Sequence, residues 1–333
     1  MANLQTYQGA FHWISHTYDH PNTLNGLTKS GPPDSHGDYI DLEVLTNLWV
    51  ASSPGGVNLD LDPSDAALAQ LTFTDFNPAN MVTPWITGLN DPLVPSYLYA
   101  DGIQYVVTDT SMIGQPNNGP NPSPNVGIVN SYEPGLYEVP RHPNDIYFNA
   151  ANWNDDQAEF DCIYTYPTVV PPYNTYTAAQ ILNFVSSSFV SNMLIGDMDP
   201  EMFHQPDLHF SINSAPGMPT TGQTSSLLTD TYDQTFSQYK QLYNLPVLSP
   251  TLDQLGQAMQ NRNAFNLSSV TASIVGAGGP NATISVTMSS SASVPTAIIP
   301  ITGLNSTGAE VYGGQYISHV SINAGQTITL PLQ

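Results

Sequence analysis

Three of the eight histidines in the chain, His12, His16 and His20, recur at intervals of four in the stretch FHWISHTYDHPNTL. Imidazoles at that spacing can converge on one metal ion where the backbone is helical or turn-like. A His-rich polar loop would give the same spacing with no metal, and spacing alone leaves the two readings even. A second candidate is Arg141, one of only two arginines, in Arg141-His142-Pro143. An arginine beside an acidic site holds a neighbouring carboxyl in its charged form; a surface arginine ahead of a turn proline is the plainer reading. A third is the loop holding Asp197, Asp199 and His204, where a histidine can exchange a proton near neutral pH. Asp155, Asp156, Glu159 and Asp161 surround Trp153. That cluster could meet a cationic sugar or bind calcium, but a solvated acidic face is the weightier reading. Cys162 lies in the apolar run FDCIY and is expected to be buried, not reactive.

These residues sit in a chain of 333 residues with a net charge of −23, from 27 acidic and only four basic side chains. Nucleic-acid binding is excluded in practice, because phosphate neutralisation needs clustered Lys and Arg. An anionic membrane surface is an equally poor partner. No apolar run approaches the ~20 residues a spanning helix needs. Aromatic residues at 10% argue against a disordered chain. A single cysteine permits no intrachain disulfide. No signal-peptide pattern opens the sequence, yet the Pro-, Gly-, Ser- and Thr-rich composition suits an extracellular or cell-surface protein.

The elements that must position the candidates follow from periodicity. Helices are predicted over 37–50 and 62–70, the latter from Asp62-Pro63 at its start. An apolar strand is expected within 78–89. A helix closes near Tyr97–Asp101 with Gly102 as its cap, and IQYVVTD (103–109) reads as a buried strand ending on Asp109. Helix, glycine, buried strand and polar residue in that order indicate an α/β fold. After a turn-rich loop at 114–127, short strands flank Arg141. Helices are predicted over 176–195, 222–243 and 250–264. From Asn266 onward there is no Lys, Arg or Trp, and alternation in TASIV, ATISVTM, HVSIN and QTITLPL predicts a small all-β, sandwich-like module of six or seven strands.

The wording of the motifs adds to this reading. His16-Thr17-Tyr18-Asp19-His20-Pro21 resembles the His-(Ser/Thr)-x-x-His motif of the polysaccharide deacetylases, the NodB-homology carbohydrate esterases. Arg141-His142-Pro143 resembles that family's Arg-x-Pro motif, and Met202-Phe203-His204-Gln205 resembles the region of its late histidine. Thr83–Leu89 and Gly102–Ser111 are similar to the secreted exopolysaccharide branch, the galactosaminogalactan deacetylases. The resemblance covers about residues 9–265. It implies a partial or irregular (β/α) barrel over 1–265, followed by the β module at 266–333. It also implies metal-dependent de-N-acetylation of an extracellular amino-sugar polysaccharide. His16 and His20 would hold a divalent metal, zinc being the expectation. Arg141 would orient a catalytic carboxylate and His204 would protonate the leaving amine. Tyr18, Trp153 and Asp109 are the candidates for sugar contact, and His12 is expected to point away.

The family's first motif, a strand ending in Asp-Asp, lies upstream of its His motif. The fifteen residues before His16 contain no Asp or Glu. The catalytic base and third metal ligand therefore have no counterpart here, although Asp19 and Asp109 could substitute. The alternatives are a truncated start, a divergent protein, or another chain that supplies the segment. The competing function is a non-catalytic carbohydrate-binding or matrix protein descended from such a deacetylase.

Overall fold

The computed structural model describes residues 8–15, 76–83, 86, 88–89, 94–100, 102–109, 127–142, 144–165, 176–279, 281–304 and 308–332. The helices predicted at 37–50 and 62–70, with Tyr18 and Asp19, lie outside the described residues. The chain divides into two compact units. One comprises Met1–Val106, Val126–Val139 and Leu245–Gln333; the other comprises Val107–Asn125 and Pro140–Asn244.

In the sheet that lies mostly in the first unit, strands β1 (Trp13–Ser15), β2 (Phe76–Met81) and β3 (Tyr105–Asp109) run parallel, while β4 (Ile128–Val129) is antiparallel to β5 (Tyr137–Arg141). The sheet order is β1-β2-β3-β5-β4, an open mixed sheet among the described residues, not a closed barrel. Parallel strands need crossovers. Helix α1 (Val94–Ala100) supplies one, and it ends as the sequence predicts: Gly102 takes φ +93° and returns its N–H to the Tyr99 carbonyl. A side chain in that backbone region is strained, which is why glycine ends the helix there.

The same unit holds the C-terminal strands: β8 (Val270–Val275), β9 (Thr283–Met288), β10 (Thr296–Thr302), β11 (Glu310–Tyr312), β12 (Gln315–Asn323) and β13 (Thr327–Pro331). They form two antiparallel sheets, β13-β9-β8 and β10-β12-β11. Inward residues such as Val286, Met288, Ile299, Ile301 and Ile322 make one apolar core, the alternation the sequence displays. Gly313 is required at its β11–β12 turn, because an added Cβ would meet the Leu245 Cδ2 at 2.5 Å.

The second unit is mainly helical: α2 (Trp153–Thr165), α3 (Ala178–Leu194) and α4 (Leu227–Leu242). α5 (Leu252–Leu267) belongs to the first unit. Helix α3 starts at a reciprocal cap in which the Thr177 side chain accepts from the Gln180 N–H and the Gln180 side chain accepts from the Thr177 N–H. Ile181, Val185 and Phe189 face the core, as their spacing predicts, whereas Phe184 is exposed. The short strands β6 (Ser211–Ile212) and β7 (Thr224–Ser225) pair ahead of α4.

Two expectations are corrected here. The acidic cluster around Trp153 is a solvated face only in part: along α2 Asp155 is exposed and Glu159 half-exposed, whereas Asp156 and Asp161 are buried. Asp156 accepts the Tyr147 N–H and Asp161 the Tyr176 N–H, so each carboxylate closes a loop end that would otherwise leave a donor unpaired. Cys162 is exposed, not buried, because it falls on the outer side of the same helix.

Candidate active site

Arg141, His142 and Asn144 and the Asp197–His204 loop, well separated in sequence, lie side by side in the helical unit. β5 ends at Arg141, and the next residue, His142, forms a parallel bridge with Glu201. The His142 N–H donates to the Pro200 carbonyl at 3.0 Å, and Asn144 Nδ2 donates to the Met202 carbonyl at 2.5 Å. Further along, the Phe148 ring meets the His204 ring edge-on, with centroids 5.9 Å apart and planes at 66°. Helix α3 delivers the second segment: its last turn passes Gly196, at φ +70°, into an extended stretch.

At the head of this pairing the His142 imidazole Nε2 lies 2.8 Å from Asp197 Oδ2. The Asp199 N–H donates to Asp197 Oδ1 at 2.8 Å, so the loop folds both acids toward the histidine. One ligand atom from each of His142, Asp197 and Asp199 lies within 4.8 Å of the others. Such a spread matches donors that share one ion at bond lengths of roughly 2.0–2.4 Å, and an N,O,O set suits a borderline divalent metal such as zinc. These residues therefore fit a divalent cation. In the metal-free arrangement the hydrogen bond to Asp197 raises the His142 pKa, opposed by burial and reinforced by the charges of Asp197, Glu201 and Asp199. Burial pushes the Glu201 carboxyl up to about 7, with the His142 charge and a hydrogen bond from Asn192 working the other way. A carboxyl at that value can take or release a proton near neutrality.

His204 occupies the N-cap of a 3-10 turn, Gln205–Leu208. Its N–H donates to Asp207 Oδ2 at 2.5 Å, and the Asp207 N–H returns to the His204 carbonyl at 3.1 Å. Asp207 is fully buried, and burial lifts its carboxyl to about 6 against the pull of the His204 N–H. The backbone of the expected proton donor is thus fixed at both ends of one residue.

The other sequence candidates are placed as follows. Arg141 is half-buried at the end of β5, next to His142. Asp109 is the last residue of β3, as its sequence position predicts. His12 is exposed, with Nε2 3.2 Å from the Ser249 carbonyl. Trp153 takes a core position: it is 3% exposed, and its indole N–H donates to Asp230 Oδ2 at 2.7 Å. That indole has no face open to a sugar. His16, His20 and Tyr18 lie outside the described residues. The His142–Asp197–Asp199 grouping was not assigned from sequence. Its visible half was the Asp-x-Asp spacing after a helix end, which aims two carboxylates the same way in an extended chain; the partnership with His142 is set only by the strand pairing.

An open mixed sheet, added antiparallel sheets and a His/Asp/Asp cluster mark a deacetylase-type α/β domain. The chain belongs to the Agd3 deacetylase domain family, whose profile matches residues 2–272. The match bears out the resemblance to the carbohydrate deacetylases at the level of the domain. The fold is similar to one described as "Crystal structure of Agd3 a novel carbohydrate deacetylase", with a TM-score of 0.68 at 18% identity over 98% of this chain. The chain spans 45% of the length of that structure. No curated protein matches the chain. None of the described helices is long and apolar enough to cross a membrane.

Proposed function

We propose that the chain catalyses metal-dependent removal of acetyl groups from an extracellular amino-sugar polysaccharide of the exopolysaccharide type. The observation that carries this reading is the parallel pairing of the Arg141–Asn144 segment with the Asp197–His204 loop, inside a domain of the Agd3 deacetylase family. A divalent metal supplies polarisation of the acetyl carbonyl and a bound water of lowered pKa. Two donor sets are open to it. Resemblance nominates His16 and His20; geometry nominates His142, Asp197 and Asp199. His204 is the proton donor to the departing amine, with Asp207 holding its backbone in place. Arg141 orients a carboxylate of the site, and Asp109 and Tyr18 contact the sugar. The carboxylates that the resemblance assigns to the family's Asp-Asp motif would come from the chain itself or from a segment of another chain.

The acidity of the molecule supports an amino-sugar polymer. Deacetylation turns neutral acetamido groups into ammonium groups, and a surface at −23 draws a polycation to itself. Metal analysis of the purified full chain, combined with acetate release from N-acetylated hexosamine polymers, tests the reading. Wild type is expected to bind about one equivalent of zinc and release acetate. Loss of metal in a His16→Ala/His20→Ala variant selects the first donor set, and loss in Asp197→Ala/Asp199→Ala selects the second. Retention of metal and activity in both would remove the assignment. Metal-independent binding of the polymer without acetate release would favour the non-catalytic alternative.

A further inference from the structure

We propose that Phe148 is a stacking platform for a ring of the sugar polymer, setting the sugar against His204; this rests on the functional reading above. Trp153 is the aromatic residue that the sequence offers for sugar contact, and the core has consumed it. Phe148 has the opposite placement. It is 62% exposed, although a phenyl ring gains substantially from burial. Its one ring contact is edge-to-face with His204, the expected proton donor.

The phenyl is presented by a turn whose other members are tied down. The Ile146 N–H donates to Asn144 Oδ1 at 3.0 Å, the Tyr147 N–H to Asp156 Oδ1 at 3.0 Å, and the Ala150 N–H to the Tyr147 carbonyl at 2.8 Å. Asn144 in turn holds the Met202 carbonyl, and Ile146 and Ala150 are buried. The turn and the His204 loop are thus clamped to each other, and the outward residue between the anchors is an aromatic. The backbone that carries the ring is held in this way, so a ligand contact has only the side-chain torsions of the phenyl to order. Phenyl has no polar atom, so it recognises only an apolar surface. Pyranose rings present such a surface in the C–H groups of one face, while their hydroxyl and acetamido groups remain free to reach polar side chains. Stacking on a ring next to a proton donor places a sugar nitrogen within the reach of His204. The class of ligand is therefore a β- or α-linked hexosamine oligomer with an unobstructed C–H face.

The test uses the full chain loaded with zinc and a hexamer of N-acetylglucosamine, measuring both binding by calorimetry and acetate release. Phe148→Ala is expected to weaken binding about tenfold, the scale of one aromatic stacking contact. It should raise KM, the signature of lost binding, and lower kcat as well, because the sugar is no longer set against His204. Phe148→Trp should bind at least as tightly as wild type. Phe148→Leu keeps the apolar bulk that would merely shield His204 but lacks a flat face, so it should behave like Phe148→Ala. Restored binding in Phe148→Leu, unchanged binding in Phe148→Ala, or no hexamer binding by wild type would each overturn the proposal. Weakened binding in Phe148→Ala when wild type releases no acetate would uphold the platform and defeat the catalytic reading instead.

Discussion

Between Val270 and Pro331 the buried side chains among those described are Ala282, Val286, Met288, Ala297, Ile299, Ile301, Leu304 and Ile322, all apolar, with Ser318 as the one buried polar residue. Between Pro140 and Asn244 they include Asp156, Asp161, Asp207, Asn213, Asp230, Thr231 and Thr235. The β sheets are held by shape and apolar area, which any well-patterned sequence can supply. The helical unit is held in addition by buried carboxylates, each of which must find donors or a proton. Burying polar groups costs stability unless they are satisfied, but it fixes geometry, and the paired loops of the candidate active site belong to that unit.

The contrast can be broken most forcefully at Asp230. Its Oδ2 accepts from Trp153 at 2.7 Å and from Thr220 and Ser225 at 3.0 Å each. Asp230→Ala strands these donors in the interior and is expected to cost about 3–5 kcal/mol in urea unfolding. Asp230→Asn keeps an acceptor and should cost less than half of that. Ile322→Ala, the matching truncation in the sheets, should cost about 3 kcal/mol through its cavity. A loss from Asp230→Ala no greater than that of an exposed Asp would remove the polar core as a structural principle.

The second difference is in pH dependence. Burial raises Asp156 to about 7 and Asp207 to about 6, above their ordinary value of 3.8. For Asp156 the Tyr147 N–H opposes burial and the Asp207 charge adds to it. A carboxyl raised in the folded state binds protons more tightly there than in the unfolded chain. Its contribution is full below the unfolded value and is lost as pH rises through the folded one. Stability should therefore fall between about pH 4 and pH 8, by several kcal/mol for the pair. The double variant Asp156→Asn/Asp207→Asn should flatten that slope, and an unchanged slope would refute the assignment. The two C-terminal sheets bury no carboxylate among the described residues, so a melt confined to them should be flat over the same range.

A smaller effect concerns separability. We propose that residues 266–333 fold as a module on their own, with a cooperative melt and strand-type circular dichroism. Ala264 packs on the sheet core, the Tyr312 hydroxyl donates to the Pro246 carbonyl at 3.0 Å, and Leu245 sits against Gly313. A segment starting at residue 245 should accordingly melt a few degrees higher. A disordered spectrum for 266–333 would show that its core needs the preceding helix.

How much of this was legible in the sequence follows the same contrast. TASIV, ATISVTM, HVSIN and QTITLPL each became part of a strand, because period-two patterning and a one-sided apolar core are the same fact. Helix α3 and the glycine after α1 were equally plain. Helix α2 was not, since its first turn is Trp153-Asn154-Asp155-Asp156 and its acids look solvated until the turn at Tyr147 closes over one of them. Trp153 was read as a sugar contact because sequence cannot show that Asp230, far along the chain, takes its N–H. For the candidate site, Arg141 and His204 were named from motif wording. The grouping of His142 with Asp197 and Asp199 came from a parallel bridge that no local pattern encodes.

The central claim is that the paired loops around His142 and His204 form a hydrolytic site. It is tested most directly by acetate release from an N-acetylated hexosamine oligomer, comparing zinc-loaded wild type with His204→Asn at matched thermal stability. A proton donor contributes roughly 10²–10⁴-fold, so the account predicts that kcat falls at least about a hundredfold while oligomer affinity stays within about twofold. Retention of wild-type kcat by His204→Asn, in a variant that melts normally, would contradict it.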